Sequence, residues 1–475
     1  MARGDGFSNE DVLYGALATR VVAPQYRQTP SGIPYVIYGQ GDEAAAKQLE
    51  TCLDHGQAAA GALMADHHKG YSQPIGGVVA YEDKLSPSGA GYDLGCGVMG
   101  VRTNIRAEDL RAQSPSGRPE IAEIMDQVSS KISFGMGRAN DDPVDHPVLD
   151  KIRQAGFGPQ RAMYDKAAGQ LGTVGGGNHY VNIMEDEEGW VWVTAHFGSR
   201  GFGHTTANDF LSLAQGGKAG ERPPEGDMDS MPVLIPADTD LGQAYVEASA
   251  LASDYAYAGR EVAVGKVVEI LGAEVTYQVQ EHHNATWREE HMGKKLWVVR
   301  KGATPAAPGQ EGVIGGSMGS DTVIVEGLDS PESVPALFST VHGAGRVMSR
   351  TAAAGSRPKR RRTYFCPRPG CSFSIPAGSY NPGKSECPVH GKVGFKRHDV
   401  YEQKKKGSVD WERVRNQLSK RGIELRGGAA DEAPEVYKDI NTVLAAHRKQ
   451  IKINHRLKPM GVAMAGPDIK DPYKD

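Results

Sequence analysis

The chain is 475 residues long, room for two or three domains and a large buried core, which excludes a disulfide-stapled miniprotein. A net charge of −4, with 24% charged and 39% hydrophobic residues, is ordinary for a soluble chain and excludes a general polycation, so nucleic-acid binding would need a local basic face. Glycine is the departure: 60 residues, roughly one in eight against a typical ~7%, clustered in stretches such as GAGYDLGCGVMG and GTVGGGNHY, where tight turns and close backbone approach to a ligand are expected.

Residues 1 to about 60 read as an α/β lead-in with a helix across GDEAAAKQLETCLDHG. The N-terminal MARGDGFSNEDVLYG lacks the apolar core of a signal peptide, and no window approaches the ~18 apolar residues of a membrane span, so a cytoplasmic chain without a membrane partner is expected. From 61 to 105, the apolar runs IGGVVAY and GVMGVRT alternate with Gly, Pro and Ser and predict strands joined by tight turns. EIAEIMDQVSSKI predicts a helix, residues 172–177 a glycine loop, and WVWVTAHFG a strand. Apolar residues at 3–4 spacing over 241–272 predict the longest helix, and VTYQVQ, KLWVVRKG and TVIVEG predict further strands. The segment 356–407 differs in kind. It opens with SRPKRRR, holds three of the five cysteines and closes near YEQKKKG, so it reads as an insertion within a domain spanning 1–475. The last 65 residues read as helical, with GVAMAGPDIKDPYKD expected to be a loose tail. Strands and helices mix without βαβ rhythm, which predicts an α+β fold. An odd number of cysteines argues against a complete disulfide framework.

Five polar positions stand out, most of them beside glycine turns: Asp93 with Cys96 (YDLGCG), Asn178 with His179 (GGGNHY), His196 (HFGSRGFGH), His283 with Asn284 (HHNA) and His342 (VHGAGR). Asp93 and Cys96 are three residues apart, so one turn can aim both at one ion. A thiolate and a carboxylate with imidazoles suit Mn, Fe, Co or Zn better than Mg or Ca. Two such ions a few ångströms apart are a common device for phosphoryl and nucleotidyl transfer. Arg200 in HFGSRGFGH, and Arg346 with Ser349 and Arg350 after HGAGR, give these segments the look of anion sites built from glycine N–H groups and guanidinium forks. No GxxxxGK[ST] occurs and GGGN is not GxGxxG, so P-loop and Rossmann chemistry are disfavoured.

The chain resembles the RtcB family of RNA ligases. The resemblance is carried by ADHHKGYSQPIGGV (65–78), SPSGAGYDLGCGV (86–98), LGTVGGGNHY (171–180), HFGSRGFGH (196–204), HHNA (282–285), RKGAT (300–304), GGSMGS (315–320), STVHGAGRVMSR (339–350), EAPEVYKDI (432–440) and KPMGVAM (458–464), in the family's order. It implies mixed sheets and helices around a central two-metal cleft. It also implies that His342 is a nucleophile that becomes guanylylated, that Asp66 orients it, and that Asp93, Cys96, His179, His196 and His283 hold two Mn²⁺ with Cys96 as the bridge. Asn178 would contact phosphate, Ser317 and Thr322 the nucleotide, and Tyr437 the base. Arg200, Arg346 and Arg350 would neutralise triphosphate or RNA phosphates. The implied partners are GTP as co-substrate and RNA with a 3′-phosphate or 2′,3′-cyclic phosphate end and a 5′-hydroxyl end; no activating protein is named by the sequence. Rival readings are a metal-dependent nucleotidyl transferase or phosphoesterase on RNA ends that no longer ligates, and a non-catalytic RNA-binding protein.

The resemblance departs at two nucleotide positions. Asn182 stands where the family has an acidic residue that reads guanine, and Met464 where it has a lysine. The insertion is a third departure. CPRPGC supplies Cys366 and Cys371, and CPVH supplies Cys387 and His390, two pairs about 16 residues apart that predict a knuckle-like Cys₃His structural zinc site. The flanking SRPKRRR and KKK runs make the insertion a candidate RNA-binding arm.

Overall fold

A computed structural model of the chain describes residues 22–224, 228–356, 360–401 and 406–466. Two large sheets organise it. The first has six strands in the order Gln25–Gln28, Pro34–Ile37, Ala60–His68, Ile75–Tyr81, Lys294–Lys301, Asn284–His291, antiparallel except where Pro34–Ile37 pairs with Ala60–His68. Along it, alternate residues go to opposite cores. Ile37, Leu63, Val79 and Val299 pack with the helix Glu43–Gly56, while Val36, Ala62, Val78 and Val298 face the second sheet's flank and the helix Ile440–Ala445. This period of two, apolar on both faces, is why these runs read as buried strands. The helix Glu43–Gly56 starts where the Asp42 carboxylate accepts the N–H groups of Ala44 and Ala45, and it buries Ala45, Leu49, Cys52 and Leu53.

The second sheet has eight strands. Its main path runs Val275–Gln280, Gly97–Arg106, Trp190–Phe197, Tyr180–Glu185, Ile451–Met464, Thr322–Gly327, Glu311–Ile314, and Glu424–Arg426 pairs alongside Ile451–Met464. One face buries Met99, Val101, Val181, Ile183, Val193 and Ala195 against the helix Glu120–Lys131 and the long helix Asp240–Leu271. The long helix is capped by the Thr239 hydroxyl and ended by Gly272 at φ +60°. Mostly antiparallel sheets with helices packed on their faces make this an α+β fold.

Two expectations are corrected. GVAM is no loose tail: it ends the 14-residue strand Ile451–Met464 at the centre of the second sheet, with a register shift between Pro459 and Gly461. That Pro and Gly hid the strand from a reading of the sequence, since proline in a central strand is tolerated only at a bulge. Residues 467–475 lie outside the described residues. HFGSRGFGH is no glycine loop either, because the helix Arg200–Ala214 begins inside it. Gly203 is needed for space, since a Cβ there would meet Ser199 Oγ at 1.7 Å. The segment 356–407 leaves and rejoins the body beside the Gly355–Lys406 bridge and forms a separate sheet ordered Ser374–Pro376, Arg360–Phe365, Lys396–Tyr401. Of its flanking basic runs, residues 357–359 and 404–405 lie outside the described residues.

Candidate active site

Strand ends from both sheets meet at one cleft of about 980 Å³. Asp93 and Cys96 sit on the turn that precedes the strand Gly97–Arg106, closed by the Cys96 N–H donating to the Asp93 carbonyl at 3.1 Å. His179 directly precedes the strand Tyr180–Glu185, His196 lies near the end of Trp190–Phe197, His283 precedes Asn284–His291, and His342 follows Ser339–Val341. All six line the cleft. The ligand atoms fall into two groups, Asp93–Cys96–His179 and Cys96–His196–His283, each within 4.8 Å and sharing the Cys96 thiol. His179 Nε2 is 3.0 Å from Asp93 Oδ2 and 3.6 Å from Cys96 Sγ; His196 Nε2 is 3.4 Å from Cys96 Sγ and 3.3 Å from His283 Nε2. Gly198 makes room for Asp93, since a Cβ there would meet its Oδ1 at 2.1 Å.

The donor set itself calls for cations. His196 Nδ1 donates to the Asn178 carbonyl at 3.2 Å, and His283 Nδ1 faces the Glu281 carboxylate at 3.2 Å. The two Nε2 atoms face each other at 3.3 Å with the Cys96 thiol beside them, a converging set of donor atoms suited to a cation. Burial, reinforced by neighbouring imidazoles, pushes both rings well below their usual pKa and keeps them neutral ligands. Burial and the Asp93 carboxylate push the Cys96 thiol up, so a bound cation is what would make it a thiolate. Burial opposes ionisation of Asp93, but hydrogen bonding to His179 holds it at about 2.

His342 lies against this group, its ring centroid 4.9 Å from that of His283. Its Nδ1 is 2.6 Å from Oδ2 of the fully buried Asp66, an ion-pair contact off the line of a hydrogen bond. The same oxygen accepts the N–H groups of His342 and Gly343 at 3.1 and 3.2 Å. Burial opposes a charged ring, but Asp66 overrides it and raises the His342 pKa. Burial likewise works against the Asp66 carboxylate, which His342 and Lys438 nevertheless hold below its usual range. Gly345, at φ +75°, lets this turn close on Asp66, whose carbonyl a Cβ would meet at 2.0 Å.

Asn178, Asn182, Ser317, Arg346, Arg350, Tyr437 and Met464 also line the cleft. Asn182 pairs with Val462, and Tyr180 with Met464, so these four side chains share one face of the two central strands and form its floor. Thr322 and Arg200 are not among the residues that line it. Thr322 is buried at the start of its strand, its hydroxyl against that of Tyr180. Arg200 lies behind the glycine loop, donating to Thr173 Oγ1 at 3.2 Å and to the Gly135 carbonyl at 2.8 Å. The other two arginines are engaged. Arg346 donates to the Asp431 carbonyl at 2.9 Å with its guanidinium 5.3 Å from the Tyr437 ring centroid, and Arg350 pairs with Asp431 and Glu432. They thus act first on an acidic segment, and only a competing anion would draw them away.

Residues that sequence reasoning missed hold these groups in place. Glu281, raised to about 8 by burial, accepts the Val98 N–H and orients His283. Arg260, fully buried on the long helix, donates to the carbonyls of Gly95, Phe197 and Glu281, tying together the three segments that carry Cys96, His196 and His283. The one available sequence signal was a lone arginine in an otherwise apolar helical stripe. Away from the cleft, Cys366, Cys371, Cys387 and His390 are brought together in the separate three-stranded sheet.

The chain is similar in sequence to known proteins. The family model described as tRNA-splicing ligase RtcB matches residues 49–159 and 157–364. The chain is 33% identical over 322 residues to the RNA-splicing ligase RtcB of Escherichia coli, covering 62% of this chain and 75% of that protein. It is 30% identical over 482 residues to the tRNA-splicing ligase RtcB of Thermococcus kodakarensis (84% and 86%) and 29% identical over 484 residues to that of Aeropyrum pernix (84% and 87%).

Proposed function

The chain belongs to the RtcB family, and from that premise we propose that it is a GTP-dependent RNA ligase joining 3′-phosphate or 2′,3′-cyclic phosphate ends to 5′-hydroxyl ends through a covalent histidine–GMP intermediate. The observation that carries the reading is the His342–Asp66 pair set against the shared-thiol ligand groups in one cleft. Asp93, Cys96, His179, His196 and His283 would hold two Mn²⁺, which when bound neutralise phosphate charge and polarise the reacting phosphorus. His342, its Nδ1 turned to Asp66, presents Nε2 to the α-phosphorus of GTP and displaces pyrophosphate. Asp66 orients the ring and offsets the positive charge that develops on it. A cyclic end is first opened by water to a 3′-phosphate. An oxygen of that 3′-phosphate then attacks the GMP phosphorus, freeing His342 and giving RNA(3′)pp(5′)G. Finally the 5′-hydroxyl oxygen attacks the 3′-phosphate phosphorus, GMP leaves, and a phosphodiester remains. Asn178 and Ser317 would contact nucleotide phosphates, Tyr437 the base, and Arg346 and Arg350 would exchange Asp431 and Glu432 for RNA or triphosphate oxygens.

Incubation with labelled GTP and Mn²⁺ should give an acid-labile protein label that His342→Ala abolishes in a folded protein. A 3′-phosphate RNA and a 5′-hydroxyl RNA should then be joined. Label retained in folded His342→Ala would move the nucleophile elsewhere, and label without joining would favour a nucleotidyl transferase.

A further inference from the structure

The ligation chemistry leaves the Cys/His cluster of the inserted sheet unused. We propose that Cys366, Cys371, Cys387 and His390 bind one Zn²⁺ in a closed tetrahedral site, separate from the cleft, and that this ion is what folds the insert.

Geometry carries the proposal first. Cys371 Sγ is 3.7 Å from Cys387 Sγ, and His390 Nδ1 is 3.6 Å from both Cys366 Sγ and Cys387 Sγ. Zn–S near 2.3 Å and Zn–N near 2.0–2.1 Å at tetrahedral angles require S···S of about 3.8 Å and S···N of about 3.6 Å. The ligand atoms are therefore spaced for one ion, and too tightly to enclose a multi-metal cluster. Two tight turns set this spacing. In one, Cys366 N–H donates to the Phe373 carbonyl and Cys371 N–H to the Arg368 carbonyl; in the other, Cys387 and Gly391 exchange both backbone hydrogen bonds at 2.8 Å. The N–H groups of Val389 and His390 also donate to Cys387, the arrangement that stabilises a thiolate in a metal knuckle.

Burial carries it second. Among residues 362–398, the apolar side chains that are fully buried are Cys366 and Cys387, each 2% exposed. The remaining packing is a half-buried ring cluster in which Tyr364 stacks on Tyr380 at 3.8 Å, and Phe395 lies 5.8 Å from Tyr380 and 6.2 Å from Phe373. A three-stranded sheet whose described side chains form no buried aliphatic core cannot meet its chain-entropy cost by their burial, and a metal cross-link is the usual remedy. Three thiolates and an imidazole are soft donors that select zinc, whereas the cleft mixes carboxylate, imidazole and a single thiol. Four protein ligands leave no open position, so the site is structural.

The test separates this site from the cleft. Full-length Cys96→Ala, which removes the thiol shared by the two cleft groups, should retain one zinc per chain after dialysis. Its cobalt-substituted form should show tetrahedral thiolate charge-transfer and d–d bands. Adding Cys371→Ser should remove that zinc and those bands. X-ray absorption at the zinc edge of the intact wild-type protein, with the cleft loaded with Mn²⁺, should read three sulfur ligands and one nitrogen, and this does not depend on any variant folding. Zinc absent from folded Cys96→Ala, zinc unchanged by Cys371→Ser, or a zinc edge without sulfur ligands would each overturn the proposal.

Discussion

Cys96 is the residue on which the cleft turns, because its sulfur belongs to both ligand groups. Cys96→Ala should therefore empty both cleft sites together, as read by metal analysis after Mn²⁺ loading, and full retention of one ion would favour independent sites. Asn182 controls a different property. Its side chain lines the cleft floor, where its buried Oδ1 has no hydrogen-bond partner. An amide can both donate and accept, whereas a carboxylate matches only the N1–H and amino donors of guanine. Asn182→Asp should raise the preference for GTP over ATP in the labelling reaction by about tenfold, the worth of a charge-assisted hydrogen bond of ~1.5 kcal/mol. An unchanged ratio would remove Asn182 from the base contact.

At the scale of elements, the cleft is built by strand ends, and one helix aligns them. Arg260 reaches from the long helix to carbonyls on three segments, so the turns that carry Cys96, His196 and His283 are fixed to a rigid rod instead of to one another. The insert is attached differently. It leaves the body just after the short helix Arg350–Ala354, whose first residue lines the cleft, and it exposes Arg368, Lys384, Lys392 and Lys396. Such side chains read phosphate and not sequence. Cys366→Ser with Cys371→Ser should weaken binding to RNAs of any sequence and flatten its salt dependence, while labelling of His342 continues. Equal salt slopes for wild type and variant would show that the insert does not touch RNA.

Across the whole molecule, the strand Ser339–Val341 must keep a fixed distance from the six-stranded sheet for His342 to meet His283. Arg300 helps to set it. Buried in the six-stranded sheet, it donates to Ser339 Oγ at 2.8 Å and the Leu337 carbonyl at 2.9 Å, pinning the segment that leads to His342, and it binds Glu289 with both ends of its fork at 2.7 and 2.9 Å. Burial alone would raise the Glu289 pKa, but Arg300 and His291 hold it at about 2. A depressed carboxylate contributes stability that is complete above its unfolded value of ~4.3 and is lost as pH falls through that value towards 2. Glu289→Gln should thus cost on the order of 2–3 kcal/mol in urea unfolding at pH 7, with the deficit shrinking steadily below pH ~4.5. A deficit that stays constant down to pH ~3 would show that the ion pair is not its source.

Local order was legible in the sequence wherever one residue's neighbours decide its structure. The helix Glu43–Gly56, the long helix Asp240–Leu271 and the strands Ile75–Tyr81, Trp190–Phe197 and Thr322–Gly327 follow from periodicity and caps. The residues Asp93, Cys96, His179, His196, His283 and His342 could be named because polar ligand types beside glycine turns are unusual, and because the family resemblance runs through them. Partnerships between distant segments could not be read in this way. That Asp431 and Glu432 occupy Arg350, that Thr322 and Arg200 are engaged by Tyr180, Thr173 and Gly135, and that Arg260 and Glu281 stand behind the cleft's polar groups depend on contacts across 21 to 183 positions of chain. The strand Ile451–Met464, with its Pro and Gly, is a strand only because neighbours on both sides supply its hydrogen bonds. Residue types, spacing and the family resemblance therefore named the groups proposed to carry the chemistry. The tertiary structure decided which groups are free to perform it, because burial and pairing are set by what folds against each side chain.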